Sequence, residues 1–335
     1  MSSEASTPPD RGVRFLSVAA GDGDIRLDRW FKRHFPALTH GRLEKLLRTG
    51  QVRLDGRRAQ ASDRVQPGQT VRVPPLGTPE SVTIPTRSAA PSATETKLLQ
   101  SAVLYRDAEL IAINKPAGLA VQGGTGMERH LDGLLDALRF DAPERPRLVH
   151  RLDRDTSGVL VLARSAAAAA RLAATFRTKT TRKIYWAAVV GLPKPREGTV
   201  NLALAKLPGR LGERVTPDED EGKPADTRYR VVTHAGAKVS WLALMPITGR
   251  THQIRAHCVA LGTPILGDGK YGGSASRPEG VPEPRKLHLH ARTLILPRAD
   301  GSELSITAPL PPHMKATWRF FGFEESEGKG VFEDD

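Results

Sequence analysis

One segment without apolar periodicity divides the chain, and it constrains the fold more than any other feature. Residues 77–97 contain three prolines among serine, threonine and alanine, with no apolar residues at helix or strand spacing. This composition is typical of a linker. We therefore predict a small domain over residues 24–76 and a large domain over residues 98–323, flanked by a disordered leader (1–23) and an acidic tail (324–335).

The small domain is predicted to contain two short helices followed by a hairpin. Apolar residues recur at helical spacing from Leu27 to Phe35. Thr39 is placed to cap a second helix that ends at Gly50. Gln51–Leu54 is predicted to be a strand that leads into a hairpin turn at Asp55 and Gly56, and Thr70–Val73 is predicted to be another strand.

Net charge indicates a polyanionic partner. The chain carries 50 Lys and Arg against 37 Asp and Glu, a formal net charge of +13, which favours RNA binding. Many basic side chains lie beside the apolar helix positions of the small domain, where they can neutralise phosphates. The candidate RNA-binding residues are Arg26, Arg29, Arg42, Lys45, Arg48 and Arg53. The alternatives are an ordinary solvated helix surface and a chain that is basic only for solubility.

The large domain is rich in strands. Strands are predicted at Ala102–Tyr105, Leu110–Asn114, Gly158–Ala163, Lys183–Val190, Ala237–Met245 and Leu287–Leu296, and helices at Leu131–Phe140, Ser165–Phe176, Thr251–Leu261 and His313–Phe321. Strands in series with few helices predict an α+β fold around a mixed or antiparallel sheet.

The stretch from His150 to Gly158 is the first candidate site. It places Asp153 and Asp155 beside Arg151 and Arg154 in a loop between apolar segments. These charges cannot all be buried unpaired, and a loop at a strand end suits a catalytic acid. The alternative is a salt-bridged turn that only caps the backbone.

A second cluster extends from Ile247 to His257. An arginine at position 255, one helical turn after Thr251, could hold a carboxylate bidentately and keep it ionised. The histidines at 252 and 257 are poorly spaced for a shared metal, so we interpret them as structural.

A third cluster opens the strand that begins near Arg182. Alternation along a strand places Lys183 and Tyr185 on one face, with Ile184 and Trp186 on the other. An aromatic ring beside a cation suits stacking on a base. The alternative is a tyrosine that belongs to the core.

Several classes of protein do not fit this sequence. The single cysteine, Cys258, cannot form a disulfide framework, a cysteine-based zinc cluster or an iron–sulfur centre, and it fits a reducing compartment. Phosphate-loop and dinucleotide-binding motifs are missing, as is a stretch near the roughly 20 apolar residues of a membrane span. We expect a cytoplasmic protein without membrane association.

Together the motifs resemble those of the large-subunit rRNA pseudouridine synthases. The matching stretches are His150–Gly158 (H-R-L-D-x-[DE]-T-[ST]-G), Gly249–His257 (G-R-T-H-Q-[IL]-R-x-H), Lys183-x-Tyr185, Asn114–Gly118, Val121–Gly124 and Gly267–Gly272. Arg26–Asp28 and Gly50–Gly56 resemble the S4 RNA-binding domain. The resemblance spans about residues 25–320. It implies a pseudouridine synthase catalytic domain with a mixed, largely antiparallel sheet, preceded by a small S4-like domain.

The resemblance also implies an activity, which is isomerisation of uridine to pseudouridine in bacterial 23S rRNA without a cofactor or metal. Asp153 would be the catalytic carboxylate, Arg255 would pair with it, and Tyr185 would stack on the uracil. RNA binding and base flipping would involve Arg151, Arg154 and Lys183. We expect a monomer.

Two alternatives stay open. One is the same chemistry at the target uridines of the sister enzyme, synthase D. The other is a catalytically silent RNA-binding protein of ribosome assembly, against which the intact Asp153, Tyr185 and Arg255 argue. A long linker, a basic loop around Arg277–Arg285 and the acidic tail depart from the family pattern and concern substrate choice.

Overall fold

The computed structural model describes residues 12–36, 38–76, 91–123, 129–178, 180–207, 214–218, 220–298 and 300–333. The chain forms two compact units, Met1–Arg87 and Ser88–Asp335, which we call the small and the large unit. In the described residues no helix is both long enough and apolar enough to cross a membrane.

The small unit packs two helices on a four-stranded antiparallel sheet. Its elements are β1 (Arg14–Ser17), α1 (Leu27–His34), α2 (His40–Arg48), β2 (Arg53–Leu54), β3 (Arg57–Arg58) and β4 (Thr70–Val73), with strand order β1-β4-β2-β3. Trp30 and Phe31 are buried in its core. The Thr39 hydroxyl accepts the amide of Arg42 (3.4 Å) and caps α2, as predicted.

The predicted disordered leader is wrong for its second half. Residues 14–17 form β1, which pairs with β4 in the register Leu16↔Val71, and Val18 is buried. The carboxylate of Asp22 is also buried and accepts from His34 Nε2 at 2.6 Å. A four-residue strand is too short to show periodicity, so the sequence did not reveal it. The first eleven residues of the predicted leader lie outside the described residues.

The large unit is built around one mixed sheet. Its helices are α3 (Ala93–Ser101), α4 (Leu131–Leu134), α5 (Ala166–Arg177), α6 (Gln253–Ala260) and α7 (Pro312–Phe321). Its strands are β5 (Val103–Arg106), β6 (Leu110–Lys115), β7 (Arg147–Leu148), β8 (Ser157–Ala163), β9 (Arg182–Val190), β10 (Glu197–Asn201), β11 (Leu204–Leu207), β12 (Arg214–Pro217), β13 (Asp226–Ala235), β14 (Val239–Pro246), β15 (Leu289–Pro297) and β16 (Glu303–Thr307).

The order of the main sheet is β10-β13-β14-β9-β15-β8-β6-β5, with β16 added to β15 and β7 added to β8. The pair β15–β8 is parallel and the others are antiparallel. Strands β11 and β12 form a separate hairpin. The predicted α+β class with a mixed, largely antiparallel sheet is confirmed.

Strand β8 leads directly away from the first candidate site, and all of its residues are buried. Gly158 has φ +113°, and a Cβ at this position would overlap the carbonyl oxygen of Ala291 on β15. Only glycine lets the two backbones approach so closely. This contact fixes the end of the loop that carries Asp153.

The predicted end of the linker needs correction, and the prediction missed strand β13. The linker was expected to reach residue 97, but α3 begins at Ala93, where the Ser92 hydroxyl and the Glu95 carboxylate form a capping box. Residues 77–90 of the linker lie outside the described residues. Strand β13 has no continuous apolar run, because Arg228 and Arg230 alternate with the buried Thr227 and Tyr229.

The acidic tail is part of the large unit, so the catalytic domain does not end at residue 323. Phe332 is buried, and its ring lies under the guanidinium groups of Arg228 (5.1 Å) and Arg230 (5.6 Å). Gly328 packs so closely on the indole rings of Trp186 and Trp241 that a Cβ would overlap them. Apolar packing anchors a segment whose charge alone suggested a free tail.

Two buried histidines predict acid sensitivity of the fold. His288 and His290 are fully buried, and burial lowers the pKa of each from 6.5 to about 3. In the unfolded chain these two histidines therefore bind protons below about pH 6.5. In the folded chain they bind protons only near pH 3. Stability is fully present above this window and falls as the pH is lowered through it.

We expect urea denaturation to show a loss of about 2 kcal/mol for each of these histidines between pH 7 and pH 5. A His290→Asn variant should keep only part of this pH dependence, because one of the two groups is gone. An unfolding free energy that stays constant between pH 7 and pH 5 would contradict the burial of neutral histidines.

Candidate active site

A cavity of about 450 Å³ opens in the large unit where the loop before β8 meets β9, α5 and α6. Its lining includes the five cationic side chains Arg151, Arg177, Lys183, Arg250 and Arg255. Asp153 is the one carboxylate among the described residues that line it. A single carboxylate surrounded by cations suits a reaction on a polyanionic substrate.

The structure separates the two acids of the first candidate site. The Asp153 side chain is 21% exposed and faces the cavity, with Oδ2 at 4.0 Å from His252 Nε2. Asp155 instead pairs with its neighbour Arg154 (Nε to Oδ1, 3.1 Å), and neither residue belongs to the cavity lining. Asp153 is therefore the acid of this loop that faces the cavity, whereas Asp155 lies in a local ion pair.

Lys115 anchors the loop that carries Asp153. It is fully buried at the end of β6, and its ammonium group donates to the carbonyl oxygens of Pro116 (2.9 Å), Leu119 (2.9 Å) and Arg154 (3.0 Å). Burial lowers the pKa of Lys115 to about 7, against the opposing charges of Asp155 and Asp153. Because three acceptors require three N–H donors, the hydrogen bonds favour the ammonium form.

We expect Lys115→Met to destabilise the large unit by about 3 kcal/mol, since it leaves three carbonyl groups without a donor. A matched control is Lys238→Met, at an exposed turn position, where the change should stay within about 0.5 kcal/mol. Chemical denaturation of both variants checks the difference. Equal stabilities of the two variants would show that Lys115 does not anchor the loop.

Lys183 and Tyr185 line the cavity together, as strand alternation predicted, while Ile184 and Trp186 pack in a core cluster with α7. Burial raises the pKa of Tyr185, and the charge of Asp153 acts in the same direction, so the phenol stays protonated. Burial lowers the pKa of Lys183, whose ammonium lies 5.6 Å from the ring centre of Phe176. The tyrosine is thus an aromatic surface with a hydrogen-bond donor.

The predicted pair between Arg255 and Asp153 is not the one observed. The Arg255 guanidinium donates to both carboxylate oxygens of Asp268 (Nε to Oδ2, 2.8 Å; Nη2 to Oδ1, 2.7 Å), and both side chains are buried. Burial opposes ionisation, but the hydrogen bonds and charge of Asp268 raise the pKa of Arg255, and the charge of Asp153 adds to this. Arg255 therefore acts on Asp153 through its charge and not through a direct hydrogen bond.

Asp268 belongs to the stretch Gly267–Gly272, for which no role was predicted beyond the family match. Its carboxylate also accepts the amides of Lys270 (3.2 Å) and Tyr271 (3.1 Å). The sequence signal that could have indicated this role is an aspartate in a glycine-rich turn, because an aspartate side chain in a turn often accepts backbone amides two or three residues later.

The turn into α6 is held by Gln253. Its amide oxygen accepts from the Thr248 hydroxyl (2.8 Å) and the Arg250 amide (3.0 Å), and its amide nitrogen donates to the Asp226 carbonyl (2.9 Å). This turn places Arg250, His252 and Arg255 at the cavity.

The two histidines that were interpreted as structural differ in their position relative to the cavity. His257 is buried outside the cavity lining, with Nδ1 at 2.9 Å from the Thr227 hydroxyl, which fits that interpretation. His252 instead lines the cavity and approaches Asp153. In the described residues no three His, Cys, Asp or Glu side chains come together as a metal site.

The predicted base-flipping residues differ in position. Arg151 is exposed at the cavity, and in the described part of the chain it has no hydrogen bond or ion pair with another residue. Lys183 also faces the cavity, whereas Arg154 lies outside its lining.

The predicted RNA-binding residues of the small unit also fall into two groups. Arg26 pairs with Asp28 (2.7 Å), Arg42 donates to the Leu76 carbonyl, and Arg53 donates to the carbonyls of Gly50 (3.3 Å) and Gly56 (3.1 Å). Exposed cations of helices α1 and α2 without such contacts in the described residues are Arg29, Lys45 and Arg48.

Comparison with known proteins identifies two families in the chain. The RNA pseudouridylate synthase family matches residues 109–260, and the S4 domain matches residues 25–71. The ribosomal large subunit pseudouridine synthase C of Rickettsia typhi is 36% identical over 293 residues, which cover 86% of this chain and 94% of the relative. The enzyme of the same name from Vibrio cholerae is 34% identical over 315 residues, covering 90% of this chain and 95% of the relative.

Solved structures agree with this result. The human RNA pseudouridylate synthase domain containing 4 superposes with a TM-score of 0.57 at 30% identity, covering 68% of this chain and 95% of that chain. The human RNA pseudouridylate synthase domain containing 1 gives a TM-score of 0.51 at 31% identity, covering 63% and 83% of the respective chains.

Proposed function

Because this chain belongs to the RNA pseudouridylate synthase family, and is an isomerase that acts on RNA, we propose that it forms pseudouridine in large-subunit rRNA with Asp153 as its catalytic carboxylate. The observation that supports this role most strongly is the position of Asp153 among the five cations of the cavity. The reaction breaks the bond between N1 and C1′ and forms a bond between C5 and C1′. The uracil loses the proton at C5 and gains one at N1.

An ionised carboxylate can assist this reaction in two ways, because it can add to C1′ or remove a proton from C2′ to give a glycal. Both routes use the same group at the same place, and we assign Asp153 to it without choosing between them. The charge of Asp153 is one of the causes that raise the pKa of Arg255, so the guanidinium stays cationic near this carboxylate.

Tyr185 is assigned to the uracil ring. Its protonated phenol offers a stacking surface and a hydrogen-bond donor, but its raised pKa makes it a poor base for the C5 proton. We assign Arg151 to the space that the flipped nucleotide leaves in the RNA, where its charge offsets part of the flipping energy of a few kcal/mol. We assign Lys183 and Arg250, which line the cavity, to phosphate binding, which sets register more than sequence.

The small unit is assigned to RNA affinity. Replacing Arg29, Lys45 and Arg48 together by Gln should weaken RNA binding and reduce the slope of log K against log salt by up to about 2, at roughly 0.7 for each contacted phosphate. Turnover at saturating RNA should be unchanged. Arg64→Gln, at an exposed cation already paired with Asp24 (2.9 Å), is the matched control. An unchanged salt slope in the triple variant would reject this surface as the RNA site.

The target specificity is proposed to be that of the C type. The hairpin Arg48–Leu54 and the segment Gln122–Gly124 favour it over the D type, although Gly124 lies outside the described residues. We also propose that the enzyme acts as a cytoplasmic monomer, and without a cofactor because the isomerisation involves no oxidation or phosphoryl transfer.

Pseudouridine mapping in a deletion strain tests the proposed substrate. We expect a few 23S rRNA positions to lose pseudouridine and to regain it when the gene is restored. Loss confined to transfer RNA or to small-subunit rRNA would reject large-subunit rRNA as the substrate. An unchanged map would support the silent RNA-binding alternative.

A further inference from the structure

His252 has a backbone conformation that is uncommon for residues other than glycine. It caps the start of α6 with φ 51° and ψ 20°, in the left-handed region. Non-glycine residues held there are uncommon and cluster at functional sites, where the surrounding structure fixes them. The His252 side chain is 12% exposed and lines the cavity opposite Asp153.

The two ring nitrogens of His252 face different partners. Nδ1 lies 2.9 Å from the hydroxyl oxygen of Tyr271, which is hydrogen-bonding distance. Nε2 lies 4.0 Å from Oδ2 of Asp153. The imidazole therefore stands between Tyr271 and the reactive carboxylate.

The contacts of Tyr271 decide which ring nitrogen carries the proton. The Tyr271 hydroxyl oxygen accepts the backbone amide of Val215 on β12 at 2.9 Å. The hydroxyl proton of Tyr271 can then be donated to Nδ1 of His252, which lies 2.9 Å away. A neutral imidazole that accepts at Nδ1 carries its proton on Nε2, on the side of Asp153.

Tyr271 is itself held in place. The guanidinium groups of Arg255 (4.9 Å) and Arg214 (5.3 Å) both lie over its ring, and its amide donates to Asp268 at 3.1 Å. Burial raises the pKa of Tyr271, so the phenol keeps the proton that the hydrogen bond to His252 requires.

We propose that His252 is a positioning residue that orients the Asp153 carboxylate through its Nε2–H, with the tautomer set by Tyr271. The distance of 4.0 Å exceeds a hydrogen bond, but a small rotation of the Asp153 side chain closes it, and catalytic hydrogen bonds often tighten only when substrate binds. The inference rests on the proposed catalytic role of Asp153. It extends the site from the cavity to the β11–β12 hairpin through Val215.

Two substitutions separate positioning from mere packing. In His252→Gln the side-chain amide nitrogen is as many bonds from Cβ as Nε2 of histidine, so a donor still reaches Asp153. In His252→Asn the amide is one bond shorter, although asparagine tolerates the left-handed backbone better than glutamine. Backbone fit therefore favours Asn and donor reach favours Gln.

We expect His252→Asn to lower kcat about 100-fold, the size typical of a misplaced catalytic group, with KM for RNA unchanged. His252→Gln should recover most of that loss despite its poorer backbone fit. Tyr271→Phe should lower kcat as well, and combining it with His252→Asn should cost much less than the product of the two effects. Thermal unfolding of each variant checks that the fold is intact.

Three results would overturn the proposal: wild-type kcat in His252→Asn, equal loss in the Asn and Gln variants, or a loss that appears only in KM. Wild-type enzyme and Asp153→Asn are assayed in parallel. No pseudouridine from the wild type would reject the proposed function itself. An active wild type, an inactive Asp153→Asn and an unaffected His252→Asn would reject only the role of His252.

Discussion

Replacing Asp153 by Asn should abolish pseudouridine formation while the fold and RNA binding stay intact. Asparagine keeps the size of the side chain but removes the negative charge and the group that can add to C1′ or take a proton from C2′. The ring nitrogen Nε2 of His252 lies 4.0 Å from the Asp153 carboxylate, beyond hydrogen-bonding distance, so the substitution breaks no close pair with His252. We expect turnover to fall by at least about 10⁴-fold, beyond the upper range for losing a general base.

Asp155→Asn is the matched control, since it makes the same chemical change two residues away. Asp155 pairs with Arg154 outside the cavity lining, and this pair is exposed. The variant should retain activity within a few-fold of wild type, because exposed ion pairs contribute about 1 kcal/mol or less. Loss of activity in Asp155→Asn with retention in Asp153→Asn would reverse the assignment.

The second large effect is expected for the buried pair of Arg255 and Asp268. Asp268→Asn leaves the Arg255 guanidinium buried without its counter-charge, and the cost of breaking such a pair is about 3–5 kcal/mol. It also weakens the acceptor for the Tyr271 amide. We therefore expect a large loss of unfolding free energy together with a fall in turnover.

Urea denaturation measures this loss. The control is Glu197→Gln, which removes the partner of Arg230 in an exposed pair (2.8 Å) and should change stability by less than about 1 kcal/mol. Replacing Arg255 by Met together with Asp268→Asn should be less harmful than the sum of the single changes, since neither charge is then left alone. If Asp268→Asn were as stable as Glu197→Gln, the pair would not be a structural element of the site.

The parts of the site that depend on residues close together in the sequence were predicted from strand alternation and from the charges of one loop. Alternation along β9 placed Lys183 and Tyr185 on the cavity side, and the acid-rich loop before β8 contained Asp153, the carboxylate that lines the cavity. The other predicted helices and strands of the large unit are present with ends shifted by a few residues, but the predicted helix Leu131–Phe140 is α-helical only over Leu131–Leu134 and continues as a 3-10 helix over Leu135–Leu138.

Contacts between distant segments could not be predicted in the same way. The partner of Arg255 was expected within the first candidate site, but it follows α6 in a loop whose backbone amides pre-orient the Asp268 carboxylate. The role of Lys115 depends on carbonyl groups that only the folded chain brings together. Phe332 was assigned to a charged tail because its packing on β13 is invisible in the sequence.

Release of tritium from RNA labelled at C5 of uridine tests the central claim most directly, because the new carbon–carbon bond displaces the hydrogen at C5. Large-subunit rRNA transcripts carrying this label are incubated with wild type and with Asp153→Asn at concentrations that bind the RNA equally. The account predicts release by the wild type, in step with pseudouridine formed, and none by Asp153→Asn. Tritium release by Asp153→Asn at a rate near that of the wild type would contradict it.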